Sequence, residues 1–252
     1  MTNNQDKKNI LIIGGTGDAR KLCSQFYDKG HHTILCLRGV SERPLLPKGV
    51  VRIGGFGHDD IMQNFIKQWQ TDFIIDASHP FATNITARLL RLSKNLSLPL
   101  YIFRRPTWQA QKNDQWTYVD TINDAMKLVC EQASRPFFTT GISHVKLLQN
   151  LSCDFLLIRS ISPQPQNMVL NTPHKWIKSP PLCARDEKKL MCDYKIDMLI
   201  AKESGGNASM GKIIAAQELN IPIILIRQPR IDIGNCPQAQ FFHSPSFFNE
   251  FL

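Results

Sequence analysis

The sequence predicts an α/β protein built from doubly wound parallel sheets. Three observations carry this. Short, wholly apolar runs such as Ile10-Leu11-Ile12-Ile13, Phe73-Ile74-Ile75 and Ile223–Ile226 read as strands buried on both faces. Segments of helical periodicity separate them, the first marked by Ala19, Leu22, Cys23 and Phe26. Several of the strands also run straight into glycine-rich or polar turns, at the edge where open α/β sheets bind their ligands.

Taken in order, the first strand leads through Gly14, Gly15 and Gly17 into a helix that Gly30 stops. Thr33–Leu37 is the second strand, Ser41–Lys48 a loop with two prolines, and Val50–Ile53 a short strand. Asp59 or Asp60 caps a helix whose apolar face is Ile61, Phe65, Ile66 and Trp69. The strand at Phe73 closes on Asp76. Pro80 then suits the first turn of a helix carrying Ile85, Leu89 and Leu92. Leu100–Phe103 is a strand, and Arg104–Asn113 an irregular stretch that ends the first unit. A second series follows, with helices over 122–133, 184–195 and 207–219 and a short helix capped by Ser143. Its strands are Phe137–Thr139, Asp154–Arg159, Trp176-Ile177, Asp197–Ala201 and Ile223–Ile226. The expected domains are therefore 1–115 and 116–252, with a ligand cleft between them. The tail from Arg230 reads as irregular, with Phe247, Phe248 and Phe251 docking on the body.

Composition narrows the function class. With 42% hydrophobic and 20% charged residues over 252 positions, the chain is an ordinary globular protein. No apolar run approaches the ~18 residues of a membrane span. The first nine residues hold no apolar stretch of the kind a secretory signal needs, so a cytoplasmic protein without membrane association is expected. The seven cysteines are odd in number, scattered and free of any C-x-x-C pair. They read as reduced thiols, and no metal site is expected. The net charge is +9, and most of the excess lies before residue 116, with 16 basic against 9 acidic residues. That asymmetry suits an anionic ligand held by the N-terminal half, or a generally basic surface. Nucleic acid is disfavoured because the basic residues form no long run or aromatic-interleaved stripe.

Four stretches could carry chemistry. Gly14-Gly15-Thr16-Gly17 is a turn between strand and helix that admits a phosphate to free N–H groups at a positive dipole end. About 20 residues further on, where an NAD-binding unit places a carboxylate for the ribose, the chain has Arg38. That favours a 2′-phosphate, hence NADPH. His79 lies past a buried strand and could bind a carboxylate or act as acid or base. Arg104, Arg105 and Trp108 also follow a strand; paired guanidinium groups and an indole face suit a flat, carboxylate-bearing substrate. Lys202-Glu203-Ser204-Gly205-Gly206 is again a strand-to-helix turn, and its lysine could hold an anion or give up a proton.

Two absences matter as well. Gly206-x-x-x-x-Gly211-Lys212 imitates a phosphate-binding loop, but Ile213 stands where Mg²⁺ needs Ser or Thr, so an NTPase is not expected. No tyrosine is followed four residues on by lysine, which argues against a dehydrogenase working through that pair.

With these residues assembled, the chain resembles the precorrin-6A reductase family of the cobalamin (corrin ring) pathway. The matching blocks run in order from residues 10–20 (ILIIGGTGDAR) through 51–60 (VRIGGFGHDD), 76–86 (DASHPFATNIT), 104–108 (RRPTW) and 139–141 (TTG) to 201–219 (AKESGGNASMGKIIAAQEL) and 221–230 (IPIILIRQPR). The resemblance implies two Rossmann-like domains, NADPH held mainly by the N-terminal one, and a carboxylate-rich tetrapyrrole in the cleft. The implied reaction adds a hydride to one carbon of a ring C=C bond and a proton to its neighbour, turning precorrin-6A into precorrin-6B. On this reading Gly14, Gly15, Thr16, Gly17, Arg38, Gly54, Gly55 and Phe56 bind the cofactor. His79, Arg104, Arg105, Trp108, Thr140, Gly141, Ser204, Gly205 and Gly206 bind the substrate, and Lys202 with His79 as alternative supplies the proton. A hand-over of product to the next enzyme of the pathway would follow. Asp18 stands where the family usually has Glu, and Cys36-Leu37-Arg38-Gly39 where it has Ser-Leu-Ala-Gly. The alternatives are a cobalt-precorrin-6A reductase using NADH, or a nucleotide- or RNA-binding module without chemistry.

Overall fold

The computed structural model describes residues 7–39 and 45–249; part of the loop expected at Ser41–Lys48, and Phe251, lie outside them. The chain divides into two compact units, Met1–Arg105 with Arg230–Leu252, and Pro106–Pro229.

The first unit runs β1 (Asn9–Ile13), α1 (Gly17–Asp28), β2 (His32–Leu37), β3 (Val50–Ile53), α2 (Asp59–Gln68), β4 (Phe73–Asp76), α3 (Thr83–Leu96) and β5 (Leu100–Phe103). The chain's last strand, β12 (Ala239–Phe242), completes it. All pairings are parallel and the order is β12-β5-β4-β1-β2-β3. Alternate residues of the apolar strands serve opposite layers. Ile10, Ile12, Leu35 and Ile75 meet Leu22 and Phe26 of α1. Leu11, Ile34, Ile74 and Ile102 meet Met62 of α2 and Leu89 of α3. That double burial is why the strands read as unbroken apolar runs.

Local expectations shift in three places. In α2 the buried stripe begins at Met62 and continues at Ile66, one step round from the expected Ile61, which is exposed. His58 occupies the cap position with no side-chain bond, while Asp59 and Asp60 sit in the first turn, where the helix dipole favours them. Pro80 precedes α3 rather than opening it. The intervening turn is held by Ala82 N–H donating to His79 O (2.7 Å) and by Asp76, which ties the loop to the helix through Ser78 N (3.0 Å) and Thr86 Oγ1 (2.5 Å).

The tail is the largest departure. Ala239–Phe242 was expected to be irregular and to belong with residues 116–252. It is instead a strand of the first sheet, in register with Leu100–Phe103. Phe248 packs among Phe26, Phe73, Tyr101 and Phe242, so the docking expected of the tail is onto the first unit. Residues 106–229 thus interrupt the first unit between its fifth and sixth strands.

The second unit contains β6 (Trp116–Val119), α4 (Ile122–Gln132), β7 (Pro136–Phe138), a 3₁₀ segment (Ile142–Asn150), β8 (Leu156–Ser160), β9 (His174–Lys178), α5 (Ala184–Asp193), β10 (Met198–Lys202), a 3₁₀ turn (Asn207–Ser209), α6 (Gly211–Glu218) and β11 (Ile223–Ile226). Its sheet is also wholly parallel, ordered β6-β11-β10-β7-β8-β9. The strand β6 was not expected, and the helix expected over 207–219 is split. Gly141, not Ser143, precedes the 3₁₀ segment. Among the described residues no helix is long and apolar enough to cross a membrane.

Gly211 explains the close packing of α5 on α6. A Cβ there would lie 2.4 Å from Leu182 O and 3.1 Å from Ala184 N, both backbone atoms that cannot swing aside. Gly211→Ala should therefore cost about 1–3 kcal/mol through overpacking, a fall of roughly 2–12 °C in thermal midpoint for a chain of this size. Thermal circular dichroism checks this; an unchanged midpoint would mean that the two helices can part without cost.

Candidate active site

In the first unit the strand order reverses between β1 and β4, and the loops that leave their carboxyl ends frame the crevice where such sheets bind ligands. Gly14 is wedged there. Its N–H donates to Cys36 O (3.2 Å), its φ is +145°, and a Cβ would lie 2.4 Å from Ala77 O. Thr16 Oγ1 donates to Ala77 O (2.8 Å) and accepts from Ala19 N (3.1 Å), capping α1 and tying the loop to the end of β4. Between these fastenings Gly15 is exposed, with no atom within 4 Å of where its Cβ would be. The loop is thus rigid below and open above, with the first N–H groups of α1 at its end. Arg20 Nη1 donates to Gly15 O (3.2 Å), bringing a cation to the rim.

Beside it, Arg38 and Gly39 leave β2, and Gly54 and Gly55 leave β3. Arg38 is exposed. Arg52 donates to Gly54 O (2.5 Å) and Gly55 O (3.3 Å) and lies 3.9 Å from the centroid of Phe56. Phe56 is buried between Arg52 and Phe65, so its ring braces this loop from within.

On the other flank the structure separates residues that the sequence groups as one clamp. Arg105 pairs with Asp18 in the first turn of α1, Nε and Nη2 each 2.5 Å from Oδ2. Arg104 is only 7% exposed; its Nη1 donates to Phe103 O (3.0 Å) and its Nη2 has no hydrogen-bond partner among the described residues. Burial pushes its pKa down, and the Asp76 carboxylate pushes it back up. His79 is exposed, with Nδ1 accepting from Phe81 N (3.3 Å). The arginines therefore face different partners rather than forming one fork.

The second unit has its own reversal, between β7 and β10. Thr139 N and Oγ1 both donate to Ile200 O (3.0 Å each), which fixes the turn carrying Thr140 and Gly141. Thr140 is buried; Gly141 has a φ of +79° and open space where a Cβ would be. Lys202 ends β10 half-buried, and burial lowers its pKa. Ser204 N donates to Lys202 O (2.8 Å), and Gly205 and Gly206 follow with φ of +66° and +69°. His144 was missed by the sequence reading. Its pKa is lowered by burial and then by the Lys202 charge, so two basic groups share this edge. Its position three residues past Gly141, after a strand end, was the available signal.

Trp108 is not presented as a stacking face. It is 6% exposed, its Nε1 donates to Gly206 O (3.0 Å), and Lys212 Nζ lies 5.7 Å from its ring centroid. Lys212 is itself buried and donates to Ser209 O (3.1 Å), so the imitation phosphate loop spends its lysine inside the unit. Of the two glycines of that imitation, Gly211 serves helix packing.

The first unit's edge fits a dinucleotide: a pinned glycine loop with an open face, a helix N-terminus, and Arg38 where no carboxylate stands. The second unit's edge offers a lysine, a histidine and backbone free of side chains, which a large flat ligand could approach.

The family profile described as Precorrin-6x reductase CbiJ/CobK matches residues 9–248. A precorrin-6A reductase from Rhodococcus erythropolis is 36% identical over 223 residues, spanning 87% of this chain and 89% of that protein. One from Mycobacterium tuberculosis (strain ATCC 25618 / H37Rv) is 34% identical over 230 residues, spanning 89% and 91%. A cobalt-precorrin-6A reductase from Priestia megaterium is 29% identical over 238 residues, spanning 89% and 92%. A solved structure of CobK precorrin-6A reductase superposes with a TM-score of 0.85 at 25% identity, covering 96% of this chain and 95% of that one. A profile match over nearly the whole chain, relatives above 30% identity and a shared two-sheet fold lead to one conclusion: the chain belongs to the precorrin-6x reductase CbiJ/CobK family.

Proposed function

We propose that the protein reduces a ring C=C bond of precorrin-6A, with NADPH as reductant, in cobalamin biosynthesis. One observation carries the reading. Each sheet ends at its own reversal point in a turn suited to a different ligand, a pinned glycine loop in the first unit and a half-buried lysine beside bare glycines in the second.

Gly14, Gly15, Thr16 and Gly17 would hold the pyrophosphate, Arg38 the 2′-phosphate, and the Gly54-Gly55 backbone the neighbouring ribose. When bound, the cofactor supplies the hydride. The Asp18 carboxylate would repel phosphates at this helix end, and Arg105 neutralises it. Arg105 thereby supports the anion site instead of clamping substrate. His79 and Arg104 are the first unit's groups for substrate carboxylates; Thr140, Gly141, Ser204, Gly205 and Gly206 are the second unit's substrate contacts.

Hydride addition to a conjugated C=C leaves negative charge on the adjacent carbon or in the ring. A cation placed there stabilises that charge and delivers a proton. Lys202 is the group proposed, because burial lowers its pKa from the ordinary lysine value and so eases proton release. His79 is the alternative donor. The decisive experiment is anaerobic incubation with precorrin-6A or its cobalt form and either nicotinamide cofactor. Oxidation of NADPH that depends on the metal-free ring supports the proposal. Preference for the cobalt ring with NADH would replace it with the anaerobic reaction, and turnover of neither would remove catalysis.

Three expected outcomes follow from the residues. Gly15→Val should abolish cofactor binding with the circular dichroism spectrum intact, because space is open at Gly15 for the side chain but not for side chain and phosphate together. Retained binding by calorimetry would move the phosphates elsewhere. Arg38→Ala should weaken NADPH and leave NADH nearly unchanged; equal losses would take Arg38 off the 2′-phosphate. Lys202→Ala should lower kcat about 10²-fold, the usual scale for a general acid. An acid must hold its proton, so wild-type kcat should fall as pH rises through a value below lysine's ordinary 10.5. If that limb survives in Lys202→Ala, another group titrates.

A further inference from the structure

The turn after β10 is fastened at its near end by the sheet and at its far end by a residue distant in sequence. Gly205 and Gly206 both take left-handed φ angles, which glycine enters without steric cost but also leaves freely. At the near end Glu203 N donates to Ile226 O (2.9 Å) and Ser204 N to Lys202 O (2.8 Å). At the far end the fastening comes from a residue distant in sequence, Trp108, whose indole N–H donates to Gly206 O (3.0 Å). The indole is itself held. It packs in the apolar core of the second unit with Ile213 and Leu225, and the Lys212 ammonium lies over its face. Lys212 donates to Ser209 O, in the 3₁₀ turn just beyond Gly206. Gly206, Trp108, Lys212 and Ser209 therefore close a ring of contacts around the segment that joins β10 to α6.

Lys212 is kept in that ring by its surroundings. Arg159 and Glu187 pair within the unit at 2.5 Å, and Glu187 also accepts from Leu182 N (3.1 Å). Burial, then the Arg159 charge, push the Lys212 pKa down to about 8, and the Glu187 charge opposes them. The ammonium's direct contacts are a carbonyl and an aromatic face, a cation–π contact worth more when desolvated.

We infer that Trp108 and Lys212 are positioning residues for reduction of the tetrapyrrole: through Gly206 they fix the glycine turn that follows Lys202 at the end of β10. This rests on the reading that the Lys202 turn meets substrate. It gives Trp108 a role different from stacking on the ring, since an indole already bonded to Gly206 and covered by Lys212 has neither its N–H nor that face to offer.

The test uses Trp108→Phe, which deletes the N–H but keeps an aromatic face for Lys212, with Lys212→Met and Lys212→Arg as a second pair. In the full-length protein, amide hydrogen exchange of a peptide covering 203–207 should speed up in Trp108→Phe while β7 and β10 keep their protection. Turnover of precorrin-6A should fall roughly five- to tenfold, the weight of one buried hydrogen bond, with the Kd for NADPH unchanged. The pH limb of kcat should also move, because a loosened turn alters the solvation of Lys202. Lys212→Met should act in the same direction, and Lys212→Arg should restore most of the loss. Wild-type exchange at 203–207 in Trp108→Phe overturns the inference. So does faster exchange with unmoved kcat and pH profile, which would make the bond purely structural. If the wild-type protein reduces neither tetrapyrrole, the functional reading fails and takes the catalytic half of the inference with it. The exchange result alone then decides whether Trp108 holds the turn.

Discussion

The first unit depends on a contact that leaves no room for a methyl group. Gly14 brings the end of β1 against the backbone of Ala77 and Ser78, close enough that a Cβ would collide with three backbone atoms. This approach allows Thr16 to reach Ala77 O while capping α1, and so aims the helix N-terminus at the space above Gly15. The same approach brings the Ser78–His79 loop beside the glycine loop. Side chains at this edge are useful only because the backbone beneath them is immovable.

The second unit solves the same problem with side chains instead of a glycine wedge. Its edge turn is held by an indole, a lysine and a carbonyl, with an ion pair of Arg159 and Glu187 packed behind them. A buried ion pair contributes little net stability once desolvation is counted, but losing one partner is costly because the other is stranded. Such an arrangement favours one geometry over its alternatives more than it adds to the depth of the folded state. A buried polar group in this unit is thus better understood by what it holds in place than by what it could react with.

The apolar strands were legible in the sequence because each is buried on both faces, and runs such as Ile10–Ile13 have no other explanation in a chain of this composition. The glycine turns were legible because they follow those runs directly. β12 was not legible: Ala239–Phe242 is four residues without alternation, and its partner lies on the far side of an entire unit in sequence. Side-chain direction was also beyond reach. Arg104 and Arg105 are neighbours in the chain, but one is buried and donates to Phe103 O while the other pairs with Asp18. Trp108 and Phe56 are aromatic residues in loops, which reads as ligand contact, while both are in fact turned inward to brace the loops. His144 was visible by the same strand-end rule that found Lys202, and was passed over because no motif surrounds it.

The pairing of β12 with β5 bears on the order in which the protein matures. On the ribosome, residues 7–105 emerge first, but their sheet lacks its sixth strand and the aromatic cover of Phe242 and Phe248 until the whole of 106–229 has been made. Domains generally fold as units in the order of synthesis. Here the interrupting unit has all its strands before the surrounding one does. The first unit is therefore the last to be finished, and during synthesis it presents an unpaired β5 edge that its own distant strand must reach before another chain does.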